Sequence, residues 1–123
     1  MGVEFTITRE IPEGKPNVAV FHLGGWLDAH SETKLVEEVQ QARDQGALYV
    51  LLDLKDLSTI TSAGIRGIQK SFGILTPKGG TVIGRLKLCN AAPQIYEVLS
   101  ITGLLLSVPM YESADIAIDS FGR

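Results

Sequence analysis

Leu48–Gly73, LYVLLDLKDLSTITSAGIRGIQKSFG, contains the change of period that decides the fold. Leu48–Leu54 is dense in apolar and β-branched residues without polar alternation, as in a strand covered on both faces. After a short polar loop, Ile65, Ile68, Phe72 and Leu75 recur at helical spacing and stop before Pro77 and the Gly79–Gly80 pair. A doubly covered strand feeding a helix is half of a βαβ unit, so the segment predicts a sheet with helices on its faces.

The flanking sequence extends the pattern. Val3, Phe5 and Ile7 alternate with Glu4, Thr6 and Thr8, the period of a half-buried strand. Pro12, Gly14 and Pro16 mark a loop, and a second strand follows over Val18–Leu23. So short a connection without a helix makes these two strands antiparallel. Ser31 is placed to cap a helix carrying Leu35, Val36, Val39 and Ala42, with Glu32 in its first turn and Gly46 at its end. Thr81–Leu88 reads as a strand and Ala91–Ile101 as a helix with Pro93 early, Ile95, Val98 and Leu99 inward, and Gly103 as terminator. Leu104–Val108 reads as a short last strand, and Ala114, Ala117, Ile118 and Phe121 as a last helix. The order is β-β-α-β-α-β-α-β-α: an α/β chain whose mixed sheet has an antiparallel first strand, then right-handed βαβ units, with about four helices. Residues 1–123 hold no repeat or linker and read as one domain.

Composition narrows the chemistry. With 45% hydrophobic and 20% charged residues, the chain can bury a core. Eleven Lys and Arg against fourteen Asp and Glu give −3, without the basic footprint of a nucleic-acid binder. A single cysteine, Cys89, excludes a disulfide framework, and two histidines cannot build a His-rich metal cluster, so neither a metal nor a cofactor is expected. The amino-terminal residues lack the basic-then-apolar form of a signal peptide and no stretch is long enough to span a bilayer, which predicts a cytoplasmic protein with no membrane partner. Ser62 has Ile60 where a nucleophile elbow needs glycine, and Arg9 stands where a P-loop ending in Gly14–Lys15 needs its first glycine. No constellation of an enzyme is present. Asp53 and Asp56 read as turn residues, and Cys89 as a small buried hydrophobe.

Against this consistent background, Thr59–Gly73 breaks its own helical rule. Gly64 and Gly67 lie on one face of the helix, and each costs about 0.8–1 kcal/mol relative to alanine. Close approach of a partner protein explains them, and so does tight packing inside the domain. Ser62 stands at the helix start, where its hydroxyl serves either as a cap or as a phosphate acceptor. Arg66, one turn on, is spaced to reach a phosphate on Ser62, or is an ordinary solvated arginine.

LLDLKDLSTITSAGIRGI resembles the signature of STAS domains, the bacterial anti-sigma factor antagonists: an apolar strand ending in Asp, a loop, then a D/S-S-[ST/A]-G-[LI] turn into a helix. Gly25–Asp28 (GWLD) resembles the family's G-x-L-D element, Gly79–Gly80 precede the next strand as they do there, and Thr102-Gly103-Leu104 resembles its T/S-G-L. Tyr111–Phe121 resembles the closing helix. The resemblance implies a non-enzymatic binding module that sequesters an anti-sigma factor of the switch-kinase type while Ser62 is unphosphorylated, freeing the sigma factor. That kinase would phosphorylate Ser62 and a phosphatase would reset it. The implied contact surface comprises Asp28, Thr61, Ser62, Ala63, Gly64, Arg66 and Gly67. Thr61 stands where many members have Asp, and Ala63 where many have Ser or Thr. An alternative within the same resemblance is a STAS scaffold, never phosphorylated, in a stress-sensing or lipid-transport assembly.

Overall fold

The structure, a computed structural model, describes residues 4–77 and 84–121. The chain runs β1 (Thr6–Glu10), β2 (Val18–Leu27), α1 (Glu32–Asp44), β3 (Tyr49–Ile60), α2 (Ser62–Leu75), β4 (Leu86–Cys89), α3 (Pro93–Ile101), β5 (Met110–Tyr111) and α4 (Ala114–Ser120). The five strands form one sheet in the order β1-β2-β3-β4-β5. Among the described residues, β1 and β2 pair antiparallel and the remaining pairs are parallel, as βαβ crossovers require.

The unbroken apolar run of β3 is explained by two cores. Val50, Leu52 and Leu54 join Ala19, Phe21 and Leu23 of β2 in a large core with Leu35 and Val39 of α1, Ile65 and Ile68 of α2 and Leu99 of α3. Leu51 instead meets Val18 and Val20 in a small core closed by Ala117 of α4 and by Phe121 at its C-cap. A strand buried on both faces has no polar side to show.

Four expectations are corrected. First, β3 does not end near Leu54 but continues to Ile60, leaving Thr61 alone between strand and helix. Its polar stretch is strand because β3 pairs only with β2 beyond Asp53, so Lys55, Asp56 and Ser58 reach solvent while Leu57 and Ile60 stay buried. Second, Leu104–Val108 is not a strand. Gly103, left-handed at φ 78°, starts a 3-10 turn over Leu104–Leu106, which buries Leu104 and Val108 and leaves Leu106 exposed; β5 comes after it. Third, Ser31 occupies the N-cap position of α1 without capping it. Its Oγ accepts the Asp28 amide at 2.8 Å and donates to the Trp26 carbonyl at 2.9 Å, tying the hydroxyl to the preceding turn. Fourth, α3 starts at Pro93 and buries Ile95 and Leu99 but leaves Val98 on the exposed rim.

Val3, Gly79, Gly80 and the start of the expected strand at Thr81 lie outside the described residues. Gly46 follows α1 with a φ of 107°, the left-handed turn expected of a helix terminator. Among the described residues, no helix is long and apolar enough to cross a membrane, and no group of three or more His, Cys, Asp and Glu side chains is arranged to hold a metal ion.

Candidate functional site

The carboxyl ends of β2 and β3 meet where α2 begins. Leu27 pairs with Ile60 at the end of the parallel ladder, and the Thr61 amide donates to the Leu27 carbonyl at 3.0 Å. This bond sets the start of α2 beside the loop that opens with Asp28. Thr61 takes the N-cap in extended geometry, its Oγ1 accepting the Gly64 amide at 3.4 Å. Ser62 is therefore the first helical residue rather than the cap, and its side chain is exposed. First-turn amides of a helix have no intrahelical acceptor, so Ser62 stands at a mouth of partial positive charge.

The two glycines are not a bare outer face. Both are buried. A Cβ on Gly64 would overlap the Leu27 carbonyl oxygen and lie 2.9 Å from Ile60 Cγ1, so only glycine lets α2 rest on the end of β2. A Cβ on Gly67 would lie 3.4 Å from Glu32 Cγ and 3.5 Å from Leu35 Cδ2, ordinary contact with α1. Both glycines thus take part in packing inside the domain, one of the two readings open to them from sequence.

Arg66 is neither free nor turned to Ser62. Its Nε and one terminal nitrogen each donate to Glu32 at 2.8 Å, a bidentate pair across α1 and α2, and Lys70 Nζ joins at 2.9 Å. Hydrogen bonds from Arg66, then Lys70, hold the Glu32 carboxyl at about 2, well below the usual range. This clamp is absent from the sequence reading because Glu32 and Arg66 are 34 residues apart. The local signal that could have found it is the i, i+4 spacing of Arg66 and Lys70 on one helix face.

Asp28 is half-buried and engaged locally: its Oδ1 accepts the His30 amide at 3.0 Å and lies 3.2 Å from the Ser31 hydroxyl. It shapes the loop next to α2, as Asp commonly does just before a helix start. An open groove of 430 Å³, lined by Phe5, Trp26, Asp28, His30, Ser31 and Lys34 among others, runs beside that loop. Trp26 is 40% exposed there, a large apolar surface the sequence reading did not single out. The structure thus gathers Asp28, Thr61, Ser62 and half-buried Ala63 around one rim, with Gly64 and Gly67 beneath it and Arg66 directed to α1.

Among the described residues the architecture is thus a mixed five-stranded sheet with a one-residue junction from β3 into an exposed serine at the start of α2. The STAS domain family matches residues 11–117, and the chain belongs to it. It is 25% identical over 97 residues to the anti-sigma F factor antagonist of Paenibacillus polymyxa, covering 78% of this chain and 80% of that one. An anti-sigma factor antagonist from Mycobacterium paratuberculosis superposes with a TM-score of 0.81 at 18% identity, over 98% of this chain and 96% of its own. SpoIIAA from Bacillus, solved in its phosphorylated form, superposes with a TM-score of 0.65 at 20% identity, over 94% of this chain and 97% of its own.

Proposed function

We propose that this protein is an anti-sigma factor antagonist whose binding is switched at Ser62. With the serine unmodified, the rim of Asp28, Thr61, Ser62 and Ala63 docks an anti-sigma factor of the switch-kinase type and frees the sigma factor. Phosphorylation of Ser62 by that kinase ends the complex, and a phosphatase restores it. The module itself catalyses nothing and works in the cytoplasm.

The observation that carries this reading is the exposure of Ser62 as the first residue of α2, with capping delegated to Thr61. The hydroxyl is thus free of a structural duty. A phosphate there adds about −1.5 to −2 charges to a contact surface without opening the core. First-turn amides are suited to hold it, while Arg66, occupied by Glu32, leaves the phosphate facing the partner.

The test is binding of the anti-sigma factor by wild type, Ser62→Ala and Ser62→Asp, with intact mass measured after incubation with ATP and the partner kinase. Ser62→Ala should bind and Ser62→Asp should not, and wild type alone should gain one phosphate. The scaffold reading draws on Thr61, a capping hydroxyl where many relatives have a carboxylate. It predicts no mass gain and equal binding by all three proteins.

A further inference from the structure

His22 of β2 is held by carboxylates from the strands on either side. Alternation puts it on the same face as Val18 and Val20, and puts Asp53 of β3 on that face with Leu51. Its Nδ1 lies 2.8 Å from Asp53 Oδ2 and its Nε2 lies 2.9 Å from Glu10 Oε1, at the end of the edge strand β1. An ionised carboxylate only accepts hydrogen bonds, so both contacts are hydrogen bonds only when both ring nitrogens carry protons. The geometry therefore describes an imidazolium. Because the acids sit on opposite nitrogens, they do not converge as metal ligands would; what they bind is a proton.

The two acids differ in what they can do without the ring. Asp53 is buried, and its Oδ1 also accepts Asn90 Nδ2 and the Lys55 amide, each at 3.1 Å. Burial alone would raise its carboxyl, but hydrogen bonds from Asn90, His22 and Lys55 outweigh that and hold it below the usual range. The Glu10 side chain is 63% exposed and can exchange the ring for water. The hydrogen bond to Glu10 raises His22 above the ordinary histidine value; burial opposes this and Asp53 adds to it.

Other charged groups nearby do not replace the ring. Arg9, next to Glu10, gives its guanidinium to Gln45 at 2.7 Å, and Lys87 of β4 is turned to Ser120 at 2.6 Å. Lys55 follows Asp53 on β3 with an exposed side chain, and the Cys89 thiol, pushed up to about 12 by burial and Asp53, stays neutral.

We propose that His22 is a proton-operated latch on the sheet edge: charged, it ties Glu10 of β1 to Asp53 of β3; neutral, it keeps Asp53 and releases Glu10. Neutral imidazole has one N–H to give. A buried carboxylate left without its donor loses more than an exposed one. The remaining proton therefore stays on Nδ1, and the Nε2 lone pair then faces Glu10 and repels it. The carboxyl end of β1 is left with its ladder bonds to β2 and the Arg9–Gln45 bond.

The test uses the intact protein, labelled with nitrogen-15, from about pH 5 to about pH 9. Long-range proton–nitrogen spectra report the His22 midpoint and tautomer, and amide exchange gives protection factors along β1. The expected result is a midpoint above the ordinary histidine value, an Nδ1–H neutral form, and a fall in protection near Glu10 through the same midpoint. Glu10→Gln, whose side-chain amide can donate to the neutral ring, should lower the midpoint and abolish the step in β1. A neutral Nε2–H form, or β1 protection with no step at the His22 midpoint, overturns the proposal.

Discussion

Replacing Gly64 and Gly67 separately by alanine tests whether the start of α2 is set by close approach to β2. Both changes favour the helix by about 0.8–1 kcal/mol, because glycine is the poorer helix former. At Gly64 the new methyl would overlap the Leu27 carbonyl oxygen and stand 2.9 Å from Ile60 Cγ1. The obstacle is backbone, fixed by the Thr61 amide bonded to that same carbonyl. Overpacking of this kind costs about 1–3 kcal/mol, and an immovable neighbour places it in the upper part of that range. After the helix gain, Gly64→Ala should lose about 1–2 kcal/mol. At Gly67 the nearest atoms, Glu32 Cγ and Leu35 Cδ2, would be 3.4 and 3.5 Å away, and a shift of a few tenths of an ångström relieves them. Gly67→Ala should therefore gain between zero and about 1 kcal/mol. Urea unfolding followed by far-ultraviolet circular dichroism measures both, provided the slopes match wild type. If the two variants fall within about 0.5 kcal/mol of each other, the size of an ordinary surface effect, the close-approach argument fails.

Capping gives a second contrast: Thr61→Ala should cost about 0.5–1 kcal/mol, the low end for a cap because its bond is long, while Ser62→Ala should stay within about 0.5 kcal/mol of wild type. Equal losses in thermal or chemical unfolding would return the cap to Ser62. The Glu32 carboxyl, held at about 2 in the fold, contributes stability that is complete above its ordinary value and is lost as the pH falls from about 4.5 toward 2. Glu32→Gln should flatten the decline of melting temperature across that window; an unchanged acid slope would show that Arg66 and Lys70 do not hold the charge. Cys89, buried and with its thiol at about 12, should resist a thiol-specific reagent at pH 8 in the folded protein and give one equivalent in denaturant. Rapid labelling of the native form would contradict the burial of β4.

The strand and helix order was legible because burial writes itself into period: LYVLLDL is apolar on consecutive residues only because two cores flank β3. The carboxyl half of β3 was hidden by the same logic. Lys55, Asp56 and Ser58 are polar like a loop, yet they belong to a strand whose neighbour on one side has ended. Leu104–Leu106 misled in the other direction, since three leucines suit a strand until Gly103 turns the chain and buries Leu104 with Val108, one helical turn apart. For the site, Ser62 and Thr61 could be placed at a helix start from sequence, but which hydroxyl caps depends on where β3 stops. Glu32 with Arg66, and His22 with Asp53, are pairs more than 30 residues apart, brought together by helix packing and strand register that no local pattern encodes.

Helix α4 guards its side of the sheet almost alone. Seven residues long, it closes a small core through Ala117 and Phe121, whereas three longer helices share the opposite face. Segments with so few buried anchors open at lower free energy than the body of a domain. Transient detachment would bare Val18, Val20 and Leu51 while α2, seated on the large core through Ile65 and Ile68, kept its place. Damage or tight binding at that rear surface would therefore endanger solubility long before it disturbed the start of α2.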